Sequence, residues 1–254
     1  MSARLALRSL RAAFVFLTRL PVGGFPYLDD EWRWSAAYFP LVGAVLGAVA
    51  GCVDRALLPL GELAAALFAI GASLLLTGAF HEDGLADTSD ALGGAFDREK
   101  MLTILKDSRV GTFGACALVL SIAGRAALLA RLGHDAPWAL ALVGATARVG
   151  PVWQIAAVPY VASEPSKSRG VAAARSAQAG IATAWALSVA FAVVVTMDAA
   201  PSRIAAVFAV STVVTVFTAW RYVRRLGGIT GDFLGATEQL CELAAFAALA
   251  WSRA

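Results

Sequence analysis

The chain has 254 residues, 59% of them hydrophobic and 15% charged, with a formal net charge of +3 and a mean hydropathy of +0.71. Long apolar runs joined by short charged connections exclude a soluble globular domain, and the lack of alternating-polarity segments excludes a membrane barrel. The few basic residues are spread among loops, which excludes nucleic acid as a partner.

What remains is an all-α, polytopic integral membrane protein. Residues 1–254 read as one membrane-embedded domain of six to seven transmembrane helices, preceded by an N-terminal amphipathic interfacial helix. In residues 1–20, Arg4, Arg8 and Arg11 share one side, while Leu5, Leu7, Leu10, Phe14 and Leu17 supply apolar surface. The apolar part between Arg11 and Arg19 is too short to cross. Arg19-Leu20-Pro21-Val22 is a poor signal-peptide cleavage site, so the helix is expected to lie at the interface.

Pro21 to Glu31 is a turn-rich connection. The first span is expected over Ser35–Val53 and the second over Glu62–Ala79, ending at Phe80-His81-Glu82-Asp83-Gly84-Leu85-Ala86-Asp87-Thr88-Ser89-Asp90. Residues 81–109 are the longest polar segment. Within it Asp97 suits a helix N-cap, Glu99 the first turn, and Met101, Leu102 and Leu105 one apolar face. Further spans are expected over Gly111–Leu132, Trp138–Val161, Ser176–Met197 and Ile204–Trp220, with Phe233–Trp251 as the seventh. Cys52, Cys116 and Cys241 lie far apart in apolar surroundings, with no disulfide or zinc-ligand spacing, and read as small buried hydrophobes.

Alternating these spans places fifteen of the 21 lysines and arginines on the side of the N-terminus and four on the other, with Arg125 and Arg148 inside spans. The positive-inside rule then puts the N-terminus and the acidic stretch on the cytoplasmic face of the membrane.

Asp83, Asp87 and Asp90 are spaced i, i+4, i+7, which aligns three carboxylates on one helix face. Like charges so placed repel unless they share a cation, and Mg²⁺ suits a few carboxylates plus water and substrate phosphates. The bland reading is a solvated acidic loop. His81 is either a capping or satisfied histidine or a direct catalytic group. Lys106-Asp107-Ser108-Arg109-Val110-Gly111 reads as a snorkelling basic belt or as a phosphate-binding turn at the start of the third span. Gly227-Gly228-Ile229-Thr230-Gly231-Asp232 is a flexible linker or a glycine turn for phosphate. Glu238 and Glu242, one turn apart in an apolar helix, should face a polar site, since an acid unpaired in lipid is costly. Arg148 is the better intramembrane anion ligand, and Arg125 reads as structural. Acids for metal with arginines and glycine turns for phosphate describe phosphoryl transfer, in which a carboxylate takes the proton of an attacking hydroxyl.

These stretches, with Phe16-Leu17-Thr18-Arg19-Leu20-Pro21-Val22, Phe39-Pro40-Leu41-Val42-Gly43 and Asp107-Ser108-Arg109-Val110-Gly111-Thr112-Phe113-Gly114, resemble the cobalamin-5′-phosphate synthases, also called adenosylcobinamide-GDP ribazoletransferases. One departure is Ala91, where that family commonly has glycine. The resemblance implies a Mg²⁺-dependent transferase that joins adenosylcobinamide-GDP to α-ribazole or its 5′-phosphate and releases GMP. Carried over, Asp83, Asp87 and Asp90 bind metal and diphosphate, and Lys106, Arg109 and Arg148 hold phosphate groups. Asp232, Glu238 or Glu242 complete the metal shell or act as base, and His81, Gly111, Gly228 and Gly231 border the substrate. The lipid bilayer is a partner, and self-association or association with other pathway enzymes stays open. Trp32, Trp34 and Trp220 read as interfacial belt residues. The rival functions are a lipid synthase like the CDP-alcohol phosphotransferases and an ion-coupled transporter. The latter expects acids near the bilayer midplane with access from both sides, which the one-sided clustering disfavours.

Overall fold

The computed structural model describes residues 2–161 and 168–251. Lys167, Arg253 and the start of the polar loop after Val161 lie outside the described residues. In chain order the helices are α1 (Ala3–Leu17), α2 (Asp29–Ser35), α3 (Phe39–Leu57), α4 (Glu62–Thr77), α5 (Phe80–Gly94), α6 (Arg98–Ile104), α7 (Thr112–Leu132), α8 (Ala136–Thr146), α9 (Val149–Ala157), α10 (Ser168–Val171), α11 (Ser176–Met197), α12 (Pro201–Leu226) and α13 (Gly231–Trp251). Among the described residues the only β pairing is an isolated parallel bridge between Tyr160 and Ile229. Helices dominate because a chain in lipid must satisfy its backbone internally.

Five helical stretches are long and apolar enough to cross a membrane, or six if the bent pair α4–α5 is one span. One of them, Thr112–Ala157, is 46 residues long and doubles back. Arg125 and Arg148 both pair with Glu242, whereas a straight helix would hold them about 35 Å apart at about 1.5 Å per residue. The turn falls at Gly133 with φ +52°, as the tight turn at Gly133–Pro137 requires. These features make the chain a multi-pass membrane protein.

Two sets of contacts mark the ends of the bundle. At one end Arg55 meets His134 at 3.3 Å and Arg203 meets Asp135 at 3.0 Å. At the other, Asp90 holds the start of α7, and Arg225 donates to the Leu92 carbonyl of α5 and to the Ala95 carbonyl just past it. There Ile229 N donates to the Pro159 carbonyl at 2.9 Å, and Val161 N to the Ile229 carbonyl at 2.7 Å. The glycine-rich turn after α12 is therefore a fixed element, not a flexible linker. Gly227 (φ +84°) caps α12, its N–H donating to the Val223 carbonyl at 2.9 Å. A Cβ on Gly228 would sit 2.3 Å from the Pro159 carbonyl oxygen.

α3 and α8 run antiparallel with backbones in contact. Gly43 lies against Gly144, Gly47 against Leu140 and Gly51 against Pro137. In lipid, where apolar burial does not drive helices together, close approach of small residues supplies the packing. A Cβ on Gly47 would lie 2.1 Å from the Leu140 carbonyl oxygen. Gly47→Ala is expected to destabilise the protein by about 1–3 kcal/mol through overpacking, read as a lower unfolding temperature in detergent. An unchanged temperature would show that the two helices can slide apart.

The N-terminal helix has its expected faces. Ser9, Ala12, Ala13 and Leu17 are buried, and Arg4 and Arg11 are exposed. Arg8 instead turns inward, forms a short ion pair with Glu31 and donates to the Pro26 carbonyl at 2.6 Å. This clamps the turn-rich Pro21–Glu31 segment onto α1. Asp97 caps α6 by accepting from Lys100 N at 2.8 Å, with Met101 buried beneath. Of the cysteines only Cys241 is buried; Cys52 and Cys116 are exposed on the bundle surface.

The second span departs most from the linear reading. α4 ends at Gly78 (φ +69°) and Ala79 (φ +57°), and α5 leaves at 92° to it. Two successive left-handed residues turn the chain, the second at a cost of about 1–2 kcal/mol for a side chain in that region. Residues 80–94 are thus a helix wedged between α7 and α13, not the start of a polar loop.

Candidate active site

α5 sorts its polar residues by face. Phe80, Asp83, Asp87 and Asp90 recur at i, i+3, i+7 and i+10 and share one side. Asp83 is exposed and Asp87 half-buried, while His81, Glu82 and Asp90 are buried. α13 crosses α5 at Gly84, where a Cβ would come 2.8 Å from the Asp232 carbonyl oxygen, and at Gly235, where one would come 3.3 Å from the His81 carbonyl oxygen. The crossing brings Asp232 beside Asp83, and Asp87 lies within the repulsive reach of Asp83, Asp232 and Asp90.

Asp90 has a defined task. Its two carboxylate oxygens accept the Gly111 and Gly114 N–H groups at 2.7 and 2.9 Å, satisfying orphan donors at the start of α7. A Cβ on Gly111 or Gly114 would fall 2.5 or 2.4 Å from the same carboxylate. Gly111 is therefore engaged by the protein's own acid at the point where a phosphate was expected. Lys106 and Arg109 are exposed near this corner. Arg109 pairs with Asp107 at 2.7 Å, and that hydrogen-bonded guanidinium lowers the Asp107 carboxyl to about 2.

Glu238 and Glu242 go elsewhere. Arg148 lies 2.9 Å from Glu238 and 3.7 Å from Glu242, and Arg125 pairs with Glu242 at 2.7 Å and Glu82 at 3.1 Å. His81 Nδ1 is 3.8 Å from Glu238, and the Gln239 amide donates to Glu238 at 3.0 Å. This buried network ties α5, α7, α8, α9 and α13 together. Arg125 is buried and held by Glu82 and Glu242. Arg148, read as the better anion ligand, already has carboxylate partners. Glu82 carried no assignment from the sequence, although its position one residue from Asp83 turns it about 100° away, toward the core.

The candidate residues thus fall into two groups on opposite sides of α5. Asp83, Asp87 and Asp232 have no cationic partner among the described residues, whereas Glu82, Glu238 and Glu242 all do. No three His, Cys, Asp or Glu side chains among the described residues converge as a preformed metal cage. The donor set is nevertheless all oxygen and accessible. That fits Mg²⁺, which binds through one or two carboxylates with water and substrate phosphates filling the rest. Gly231 opens α13 beside Tyr160, whose hydroxyl would lie 3.5 Å from an added Cβ, and Gly228 is held against Pro159.

Arg19, in the Phe16–Val22 motif, sits at the α4–α5 bend. Its N–H donates to the Leu76 carbonyl at 2.7 Å, and its guanidinium covers Gly78 at the α4–α5 bend, where a Cβ would meet Nε at 2.2 Å. No carboxylate pairs with it among the described residues. Any side chain at position 78 would evict it.

Residues 9–250 match the protein-family model described as cobalamin-5-phosphate synthase. An adenosylcobinamide-GDP ribazoletransferase of Allorhizobium ampelinum is 43% identical over 247 residues, covering 92% of this chain and 93% of the relative. Those of Polaromonas sp. and Leptothrix cholodnii are 38% and 39% identical, covering 97% and 94% of this chain. No solved structure matches the chain.

Proposed function

The chain belongs to the cobalamin-5-phosphate synthase family, and on that premise we propose that its unpaired aspartates form a Mg²⁺-assisted phosphoryl-transfer site. The protein is an enzyme of cobalamin biosynthesis, and its reaction is adenosylcobinamide-GDP ribazole transfer. The observation that carries the site is the contrast among the acids. Every buried glutamate near α5 has an arginine partner, and the accessible trio Asp83, Asp87 and Asp232 has none.

Asp83, Asp87 and Asp232 would hold the ion. When bound, Mg²⁺ supplies neutralisation of the diphosphate charge and of the charge gathering on the departing GMP. Lys106 and Arg109, exposed before the start of α7, and Arg19, at the α4–α5 bend, are the cations available to the donor's phosphates. The acceptor is α-ribazole or its 5′-phosphate. Its hydroxyl oxygen bonds to the phosphorus that remains with cobinamide, the bond from that phosphorus to the GMP oxygen breaks, and a carboxylate of the trio takes the hydroxyl proton. Asp90 acts as a positioning residue by fixing the start of α7 against this face. Glu238 and Glu242 act through Arg148 and Arg125, holding α13 in register with α5.

The site lies at the end of the bundle that holds the loop after α12, α6 and the start of α7. The lysine and arginine skew supports a cytoplasmic position for that end in a bacterial inner membrane, where the polar corrinoid donor has access from water. The accessible, one-sided position of Asp83 also disfavours an ion-coupled transporter.

The protein should be reconstituted in proteoliposomes with adenosylcobinamide-GDP and α-ribazole, and the product followed by mass. Chelation of divalent ions is expected to stop GMP release, and added Mg²⁺ to restore it. Turnover that persists under chelation would remove the metal from the account. Turnover with a lipid alcohol in place of α-ribazole would favour the lipid synthase reading.

A further inference from the structure

A second feature of this end of the bundle is a pocket between α1, α3, α5, α9 and α13. Its walls carry four aromatic rings, from Phe16, Phe39, Phe80 and Tyr160, together with aliphatic side chains. Phe16 stacks on Phe39 at 5.5 Å and meets Phe80 edge-on at 5.5 Å, so three of the rings form one fixed surface. The polar lining comes from His81, Arg148 and Glu238. Arg148 is 5% exposed, and its Nε–H has no hydrogen-bond acceptor among the described residues. A buried donor without a partner is costly, and here it belongs to a residue that lines the cavity.

The pocket adjoins the aspartate ridge. Phe80 shares a helix face with Asp83 and Asp87, and Gly231 and Gly235, on either side of the α5–α13 crossing, form part of the rim. A molecule seated among the rings would hold its other end over the carboxylates.

Resting on the ribazole-transfer reading, we propose that this pocket takes the base of the acceptor nucleoside, a flat and largely apolar heteroaromatic ring with a free ring nitrogen as its hydrogen-bond acceptor. The benzimidazole of α-ribazole has that chemistry: apolar faces and edges for the aromatic walls, and a single nitrogen lone pair for the His81–Arg148–Glu238 end of the lining. Guanine, the other base in the reaction, does not. Its edge carries several donors and acceptors, which aromatic and aliphatic walls would leave unsatisfied. The pocket therefore separates acceptor from donor, and its shape sets which lower-ligand base is accepted. Arg148, Glu238 and His81 then serve the base, and the phosphates are left to Arg19, Lys106 and Arg109.

Ala172 lines the pocket and is only half-buried, so enlarging it narrows the opening with little disturbance of the core. Ala172→Phe is expected to raise the KM for α-ribazole by about tenfold or more while leaving the KM for adenosylcobinamide-GDP unchanged. Binding of free 5,6-dimethylbenzimidazole to the full chain in nanodiscs should weaken in parallel. Phe80→Ala, which removes a ring that is 42% exposed, should weaken the same binding. An unchanged α-ribazole KM and unchanged benzimidazole binding in both variants would overturn the assignment. A selective loss of GMP binding would instead give the pocket to guanine. Benzimidazole binding is read without turnover. A native protein that binds it in this pocket-dependent way but transfers no ribazole would refute the transfer reading and leave the pocket standing.

Discussion

Asp83→Asn is expected to reduce GMP release by about a thousandfold or more while the protein still inserts in the membrane and unfolds at its native temperature. The side chain is exposed and has no hydrogen-bond or ion-pair partner among the described residues, so the fold gains nothing from its charge. Amide for carboxylate keeps the shape and removes the negative charge that a metal needs, and with it one candidate for the proton acceptor, a role worth about 10²–10⁴ in rate by itself. Relief of repulsion from Asp87 and Asp232 should, if anything, favour folding. Asp90→Asn is expected to behave differently. It weakens the two hydrogen bonds to Gly111 and Gly114 and so lowers stability together with activity. The pair of variants separates the accessible ridge from the tether at its end.

The second large effect belongs to the buried network. Three carboxylates, Glu82, Glu238 and Glu242, face two guanidinium groups, Arg125 and Arg148. Arg125→Ala leaves three acids against one cation in a site where Arg125 itself is 3% exposed, and removal of one partner from a buried ion pair costs about 3–5 kcal/mol. For a chain of this size that corresponds to roughly a 10 °C loss in unfolding temperature. Glu242→Gln instead removes the charge imbalance, leaving two acids against two cations, and is expected to keep or raise the unfolding temperature and to retain activity within about tenfold. A stable but inactive Glu242→Gln protein would make Glu242 the proton acceptor and move the chemistry to the other side of α5.

Much of this arrangement was legible in the residues. Apolar run lengths located the passes of α3, α7, α11, α12 and α13 because lipid demands a long, predominantly apolar stretch. The i, i+4, i+7 spacing put Asp83, Asp87 and Asp90 on one face because α5 is a regular helix. The bend before α5 was not legible. Gly78 invites a left-handed residue, but Ala79 beside it does not, and only the packing of α5 between α7 and α13 requires that pair to turn. Nor did composition tell the acids apart. Glu238 and Glu242 looked like the second half of the aspartate site because both sets of acids lie toward the same end of the chain's passes. The arginines that neutralise them come from α7 and from the turn between α8 and α9, and they are adjacent only after Thr112–Ala157 folds back. A signal was present in the intramembrane positions of Arg125 and Arg148, since charges in lipid tend to seek each other. The Gly43–Gly47–Gly51 spacing permits a close helix approach, but nothing in it names α8 as the partner.

The central claim is that the unpaired aspartates hold a divalent ion against the donor diphosphate. Mn²⁺ in place of Mg²⁺ makes that ion visible to electron paramagnetic resonance. In the presence of adenosylcobinamide-GDP, the native protein is predicted to bind Mn²⁺, and the double variant Asp83→Asn/Asp87→Asn to lose that signal while remaining folded. Undiminished Mn²⁺ binding in the folded double variant would contradict the account.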